Sequence, residues 1–218
     1  SEDKTSYSHN KGLTETRQAI SQYFKRRYGF LYSEEEIIVT NGASEALDTS
    51  LRSIIEPGDE ILIPGPIYAG YIPLVETLGG KPIYIDTTHS DFKVTPELIE
   101  AYFTDQTKAI LLNYPTNPTG VILERSEVEA LVHHLKTKEI FIISDEIYAE
   151  NTFTGTHTSF AEYEEIRDQL LLIGGLSKSH SATGIRIGFL IGPEYLIEKL
   201  TFMHAYNCIC ANVPAQIA

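Results

Sequence analysis

Residues 140–144, IFIIS, form an almost wholly apolar run that ends directly before Asp145. A short run of this kind, rich in β-branched side chains, predicts a strand that is buried on both faces. Comparable runs recur along the chain at residues 36–40, 60–63, 81–86, 108–113, 170–174 and 185–191. Buried strands of this type are typical of parallel or mixed sheets that carry helices on both faces. The sequence therefore predicts a three-layer α/β/α fold around a mostly parallel mixed sheet.

Helical periodicity fills the stretches between these strands. Amphipathic spans lie at residues 13–28, 44–55, 68–78 and 125–136. Thr95 followed by Pro96 marks the start of another helix, because proline is tolerated at the first helical position. Neither an internal repeat nor a Gly/Ser linker interrupts the alternation. We expect a single domain over residues 1–218.

The composition is that of an ordinary globular protein. Hydrophobic residues make up 42% of the 218 residues and charged residues 22%, which excludes a disordered or collagen-like chain. The formal net charge is −13, and this disfavours binding to nucleic acid or to an anionic membrane. No run approaches the roughly 18 apolar residues of a transmembrane helix. An anionic ligand would therefore need a local positive site.

The two cysteines, Cys208 and Cys210, are separated by one residue. They do not suit a disulfide framework, so a reducing, cytoplasmic setting is expected. Since no second pair of ligands stands nearby in the sequence, apolar packing is favoured over zinc and no metal site is predicted. The polar start without Met and the abrupt end at Ala218 suggest a piece of a longer protein.

The first candidate ligand site is the loop at residues 41–45, NGASE, which follows a predicted strand. Ligands of open α/β sheets bind outside the carboxyl ends of the strands. Gly42 and Ala43, followed by Ser44, expose backbone N–H groups at a helix N-terminus, which is a suitable place for an anion. The alternative is an ordinary helix start with Ser44 as N-cap, and this loop alone favours that alternative.

Two further loops carry fixed polar side chains. In residues 114–120, YPTNPTG, two prolines hold Asn117 in a rigid loop; the alternative is a tight surface turn. Asp145 follows the central strand, where a carboxylate needs a partner to offset its desolvation. A protonated ring nitrogen of a ligand would serve, whereas the alternative is an aspartate that caps the following helix.

The fourth loop, residues 176–188, contains Lys178 between Ser177 and Ser179. A lysine in a partly buried loop can lose its proton and act as a nucleophile toward carbonyl groups. Arg186 follows eight residues later, and its planar fork could grip a phosphate. The alternative is a solvated loop lysine without a chemical role.

Together the four loops resemble the class I and II aminotransferases, which are pyridoxal-phosphate enzymes of fold type I. That family combines a Gly-containing phosphate turn, an aromatic residue over the cofactor ring, Asn-Pro-Thr-Gly, Asp-x-x-Tyr, and a Ser-x-Ser-Lys segment followed by an arginine. Asn117 precedes Asp145 by 28 positions, and Asp145 precedes Tyr148 by three. Lys178 precedes Arg186 by eight, and all three spacings are those of the family. The resemblance extends over nearly the whole chain.

The resemblance implies a role for each residue around the cofactor ring. Lys178 would form the Schiff base and move the proton of the substrate α-carbon. Asp145 would keep the pyridine nitrogen protonated, so that the ring remains an electron sink. Tyr148 and Asn117 would hydrogen-bond the ring oxygen O3′, and Tyr68 would stack on the ring face.

The resemblance also implies a phosphate site and a dimer. The phosphate would be held by the turn and by two side chains of the fourth loop, namely Gly42, Ala43, Ser44, Ser177 and Arg186. Tyr7 would reach the phosphate in the partner subunit, which implies a homodimer with composite active sites. Gly175 stands where members often carry Ser or Thr, so one contact is expected from Ser177 or Ser179 instead.

The implied protein is an aminotransferase that moves an amino group from an amino acid to a 2-oxo acid. Residues 7–13 and 177–181 resemble bacterial aromatic and N-acetyl-diaminopimelate aminotransferases. Residues 1–218 would form the large, cofactor-binding domain, with the N-terminal arm and the C-terminal small domain absent. The small domain normally supplies the arginine for the substrate carboxylate, so the isolated chain is expected to be poorly active. None of the arginines outside the fourth loop is assigned this role, and they are expected to be solvated helix residues: Arg17, Arg26, Arg27, Arg52, Arg125 and Arg167.

Two alternatives remain open at this point. A C–S β-lyase of the same fold would share every motif described above and differ in its products. A non-enzymatic, cofactor-sensing regulatory domain would also share the fold. Such a domain follows a basic helix-turn-helix segment, and none is present in this acidic chain.

Overall fold

The computed structural model describes residues 5–218, and its core is one seven-stranded sheet. The strands are β1 (Ile37–Thr40), β2 (Glu60–Gly65), β3 (Lys81–Asp86), β4 (Thr107–Asn113), β5 (Phe141–Asp145), β6 (Leu170–Gly175) and β7 (Gly188–Ile191). Their order across the sheet is β1-β7-β6-β5-β4-β2-β3. Only β7 runs against its neighbours, pairing antiparallel with both β1 and β6. The predicted mostly parallel mixed sheet is confirmed, and β5 is its central strand.

Helices cover both faces of this sheet. They are α1 (Thr14–Tyr28), α2 (Ala43–Ile54), α3 (Tyr71–Thr77), α4 (Pro96–Tyr102), α5 (Arg125–Leu135), the single turn α6 (Leu176–Ser179), α7 (Glu194–Cys208) and the short α8 (Val213–Ile217). Among residues 5–218, none of the helices is both long and apolar enough to cross a membrane.

The strands bury alternate side chains in two separate cores. Ile142 of β5 packs in one core with Leu131 and Val132 of α5, whereas Ile143 packs in the other with Leu47 of α2. Both isoleucines are fully buried, and burying such a side chain stabilises the fold by about 1.5–3 kcal/mol. The apolar run at residues 140–144 therefore has the role that its composition predicts.

Two predicted boundaries are wrong at positions that matter for the site. The strand expected at residues 185–191 begins only at Gly188, because Thr183–Ile185 forms a 3-10 turn and Arg186 has φ +60°. The helix expected from residue 68 begins at Tyr71, after a turn that the hydrogen bond from Tyr71 N to Tyr68 O closes at 3.2 Å. Pro66 and Gly70 favour such a turn. Tyr68 is thus outside the helix.

The start of α2 also differs from one expectation. Gly42 occupies the N-cap position with φ +88°, and the helix begins at Ala43. Ser44 is therefore not the N-cap, and its side chain is exposed. The positive φ explains the glycine, because a residue with a Cβ is strained there.

Arg17 of α1 is buried instead of solvated. Its Nη1 atom donates to the carbonyl oxygen of Glu34 at 2.6 Å and lies 3.3 Å from Glu35 Oε1. Helix α1 packs over the 3-10 turn Glu34–Glu36 that leads into β1. The arginine therefore links that turn to the helix.

Candidate active site

A cleft of about 210 Å³ opens at the carboxyl end of the sheet. It is lined by side chains from all four loops that the sequence singled out. Of the predicted site residues, the cleft contains Ala43, Ser44, Tyr68, Asn117, Asp145, Tyr148, Ser177, Lys178 and Arg186. Gly42 lies behind Arg186 at the rim. Tyr7 lies outside the cleft, in a shallow depression beside Leu13 and Gln216, with 78% of its surface exposed.

Asp145 lies at the end of β5 and is 7% exposed. Its Oδ2 atom accepts a hydrogen bond from the hydroxyl of Tyr71 at 2.7 Å, and its Oδ1 atom accepts one from the backbone N–H of Ile147 at 3.1 Å. Burial raises the pKa of Asp145 to about 6, although both hydrogen bonds oppose this shift. None of the ion pairs among residues 5–218 involves Asp145. A buried carboxylate with neutral donors alone would gain from a cationic partner in the cleft.

The bond to Ile147 means that Asp145 also stabilises the turn after β5, whereas the alternative interpretation expected it to cap a helix. The bond to Tyr71 was not predicted. Tyr71 is 2% exposed and lies in the first turn of α3. A spacing-based argument could not find it, because the two residues are 74 positions apart.

Asn113 is a second residue that sequence reasoning missed. It ends β4 and pairs in register with Asp145 of β5. Its Nδ2 atom donates to the carbonyl oxygen of Asp145 at 2.9 Å, and its Oδ1 atom accepts from the backbone N–H of Asn117 at 3.0 Å. Asn113 therefore holds the loop of Asn117 against the central strand. The sequence feature that could have identified Asn113 is a polar residue at the end of a buried strand.

Lys178 and Tyr148 face each other across the cleft. Lys178 lies in the single turn α6, and its Nζ atom is 5.4 Å from the centre of the Tyr148 ring. The lysine was expected in a partly buried loop, but its side chain is exposed to the cleft. The reason is that α6 projects from the end of β6, beyond the sheet.

The rim of the cleft carries a positive group at the start of α2. Nη2 of Arg186 donates to the carbonyl oxygen of Asn41 at 3.2 Å, and Nη1 donates to that of Thr183 at 3.0 Å. A Cβ atom at Gly42 would overlap the guanidinium of Arg186. Among residues 5–218, no ion pair engages this guanidinium. Together with the first N–H groups of α2, it forms a suitable site for an anion.

Ser177 and Ser179 of the fourth loop have different roles. Ser177 is buried and lines the cleft. Ser179 points away, because its hydroxyl donates to the carbonyl oxygen of Gly175 at 3.2 Å and lies 2.8 Å from Nδ1 of His180. Ser177 is thus the only one of the two in a position to contact a ligand of this cleft.

Tyr68 stands over one side of the cleft. Its ring is 48% exposed and meets the ring of Tyr71 edge to face, with 5.4 Å between the ring centres. An exposed aromatic face beside a buried carboxylate suits a flat ligand that is charged at one edge.

Comparisons with known proteins identify the family. The family model "Aminotransferase class I and II" matches residues 1–218. The chain is 47% identical over 218 residues to the probable N-acetyl-LL-diaminopimelate aminotransferase of Bacillus subtilis, an alignment that covers 100% of this chain and 55% of the relative. It is 36% identical over 213 residues to the aspartate aminotransferase of Thermotoga maritima, covering 97% of this chain and 56% of that relative.

A solved structure agrees with these relatives. The aromatic aminotransferase from Pyrococcus horikoshii superposes with a TM-score of 0.93 at 32% identity, covering 98% of this chain and 58% of that chain. The chain belongs to the class I and II aminotransferases. It spans about half the length of the curated relatives that it matches.

Proposed function

We propose that this chain forms the cofactor-binding part of a pyridoxal-phosphate-dependent aminotransferase that moves an amino group from an amino acid to a 2-oxo acid. The observation that carries the proposal is the buried Asp145 carboxylate, which has no cationic partner among the described residues and shares its cleft with Lys178 and Arg186. These three side chains are the carboxylate, the amine and the guanidinium that the cofactor requires.

The donors and acceptors of the cleft fit the cofactor. Asp145 would accept a hydrogen bond from the protonated ring nitrogen, and Tyr68 would cover the ring face. Tyr148 and Asn117 would contact the ring oxygen O3′. The phosphate would be held by the loop of Gly42 and by the first turns of two helices, through Ala43, Ser44, Ser177 and Arg186. These residues supply the local positive site that an acidic chain needs for a dianion.

When bound, the cofactor supplies an electron sink that stabilises negative charge on the substrate α-carbon. Tyr71 fixes the orientation of the Asp145 carboxylate by donating to Oδ2 at 2.7 Å. The Asp145 carboxylate holds a proton on its ligand by a charge-assisted hydrogen bond. The Nζ atom of Lys178 takes the proton from the substrate α-carbon and acts as general base. Arg186 would offset part of the phosphate charge and help to hold the phosphate beside the start of α2.

The chain spans about half the length of its curated relatives, which supports a proposal about the full-length protein. We propose that residues 1–218 are the large domain, and that an N-terminal arm and a C-terminal small domain belong to the full-length protein. The arginine that binds the substrate carboxylate would then come from the small domain. The full-length protein would be a cytoplasmic homodimer, with Tyr7 reaching the phosphate in the partner subunit. This chain alone would show little turnover.

Product analysis of the full-length protein tests the proposed reaction. The protein is incubated with pyridoxal phosphate, a 2-oxo acid, and in turn aspartate, phenylalanine, N-acetyl-LL-diaminopimelate and cystathionine. We expect a new amino acid from at least one of the first three donors and none from the variant Lys178→Ala. Pyruvate and a thiol from cystathionine, without transamination, would favour the β-lyase alternative. The relatives described above are all aminotransferases, which disfavours that outcome.

A further inference from the structure

Three side chains of types that commonly ligate metals meet on the face of the sheet that α2 and α7 cover. Glu45 lies in the first turn of α2, and His204 and Cys208 lie one turn apart near the end of α7. Residues at positions i and i+4 share one face of a helix, so the imidazole and the thiol point the same way. The nearest carboxylate oxygen, imidazole nitrogen and sulfur of the three residues all lie within 4.8 Å of one another.

The individual distances are close to those of a metal site. The Nε2 atom of His204 lies 3.3 Å from Sγ of Cys208 and 3.7 Å from Oε2 of Glu45. Tetrahedral zinc, with Zn–S near 2.3 Å and Zn–N near 2.0–2.1 Å, places its ligand atoms roughly 3.3–3.8 Å apart. A small movement of side chains would therefore complete the coordination.

The cluster is centred on a buried imidazole, with Glu45 and Cys208 half-buried beside it. His204 is fully buried, and the side chain of Glu45 is 11% exposed. Within residues 5–218, the Nδ1 atom of His204 has no hydrogen-bond partner. The polar contacts of this imidazole are thus confined to the carboxylate and the thiol. It is Nε2, on the other side of the ring, that faces Glu45 and Cys208 and would bind an ion.

The charges of the cluster also leave a position for a cation. A divalent cation that replaces the thiol proton would neutralise both the carboxylate and the resulting thiolate.

We propose that Glu45, His204 and Cys208 bind one Zn²⁺ ion, with water as the fourth ligand. Nitrogen, sulfur and carboxylate oxygen are the ligands that zinc takes in proteins. Binding forms a Zn–S bond and releases the thiol proton to solvent. The site borders the loop of the cleft, because Oε2 of Glu45 also accepts the backbone N–H of Asn41 at 2.6 Å. The zinc site does not depend on the proposed aminotransferase activity.

A competition titration tests this site in the full-length protein. Zinc is distributed between the protein and a chromophoric chelator, and binding is compared for the wild type, Cys208→Ser and Glu45→Gln. Cys210→Ser is the matched control, since Cys210 is the neighbouring cysteine and is not part of the cluster. We expect Cys208→Ser to lose more affinity than the roughly 10–100-fold that loss of an outer-shell partner costs. Glu45→Gln also weakens binding, and Cys210→Ser does not.

Cobalt gives a second readout of the thiolate ligand. Co²⁺ bound to the wild type and to Cys210→Ser should show a thiolate-to-cobalt charge-transfer band that Cys208→Ser lacks. Circular dichroism establishes whether each variant is folded. If Cys208→Ser is not folded, the zinc affinity of Glu45→Gln tests the proposal instead. Zinc binding that is equal in the wild type and both cluster variants, or lost equally in Cys210→Ser, would overturn the proposal.

Discussion

The hydroxyl of Tyr71 donates a 2.7 Å hydrogen bond to Oδ2 of Asp145, and both side chains are buried at the bottom of the cleft. This bond opposes the effect of burial, which raises the pKa of the carboxyl group to about 6. The contact therefore sets how readily Asp145 is ionised before any ligand binds.

Removing that hydroxyl should raise the pKa of Asp145 further. In the cofactor-free protein, Tyr71→Phe should shift the pKa upward by about one unit, since a hydrogen bond to a charged group is worth about 1.5–3 kcal/mol. A carboxyl-carbon NMR titration measures the shift. Tyr68→Phe is the control, because the Tyr68 ring lies in the same cleft and its hydroxyl does not contact Asp145. An unchanged or lower pKa in Tyr71→Phe would contradict this account.

The raised pKa of Asp145 predicts a specific dependence of stability on pH. The folded state binds a proton more tightly than the unfolded state, in which the group has its ordinary value of 3.8. This contribution to stability is fully present below about pH 4 and is lost as the pH rises through about 6. Between pH 4 and 7, the cofactor-free wild type should lose about 2 kcal/mol relative to Asp145→Asn.

Urea unfolding at several pH values measures this difference. Using the difference between the two proteins removes the contribution of other groups such as Glu45, whose pKa is lowered to about 2. Parallel stability curves for the wild type and Asp145→Asn would show that the carboxyl group has an ordinary pKa.

Gly42→Ala should disturb the phosphate site by two routes. The backbone there has φ +88°, and the new Cβ would overlap the guanidinium of Arg186. Strain at such a position costs of order 1–3 kcal/mol, and displacement of Arg186 weakens binding of pyridoxal phosphate. Gly29→Ala is the matched control, with φ +77° and no atom within 4 Å of its Cβ.

The two alanine variants are compared by urea unfolding and by titration with pyridoxal phosphate. Both should lose stability, and only Gly42→Ala should also lose affinity for the cofactor. Equal affinities in the two variants would mean that Arg186 does not contact the phosphate.

Arg186→Gln should weaken binding of pyridoxal phosphate and leave that of pyridoxal, which has no phosphate, nearly unchanged. Loss of a charge-assisted contact of about 1.5–3 kcal/mol corresponds to roughly a 10–100-fold loss in affinity. Fluorescence titration with each compound gives the ratio. Arg125→Gln serves as control, because Arg125 is an exposed arginine of α5 that pairs with Glu162 at 2.8 Å. An equal loss of affinity for both compounds would mean that the substitution disturbs the fold and not a contact with the phosphate.

Local sequence patterns predicted the parts of the site that local chain geometry determines. Asp145 ends a strand, and Asn117 and Lys178 each lie shortly after one; they meet in one cleft because parallel strands end at the same edge. Tyr71 and Asn113 were missed, since their contacts depend on the register of β4 with β5 and on where α3 begins. These contacts depend on how distant segments pack together, which local sequence patterns do not show.

The same limit applies to Cys208, for which apolar packing was predicted and whose sulfur lies 3.3 Å from Nε2 of His204. Its neighbour His204 lies one turn away, but Glu45 is more than 150 positions distant and arrives only when α2 packs against α7. The strand boundary at Gly188 was missed for a different reason. Ile185 and Ile187 alternate with Arg186 in a pattern typical of a strand, but the left-handed backbone of Arg186 interrupts the extended conformation.

Borohydride reduction of the full-length protein with pyridoxal phosphate, followed by peptide mapping, tests most directly whether this cleft is a cofactor site. The account predicts that mass spectrometry finds the pyridoxyl label on Lys178, and that Lys178→Arg remains unlabelled at the corresponding peptide. A label confined to another lysine, or a folded wild-type protein that takes up no label, would contradict it.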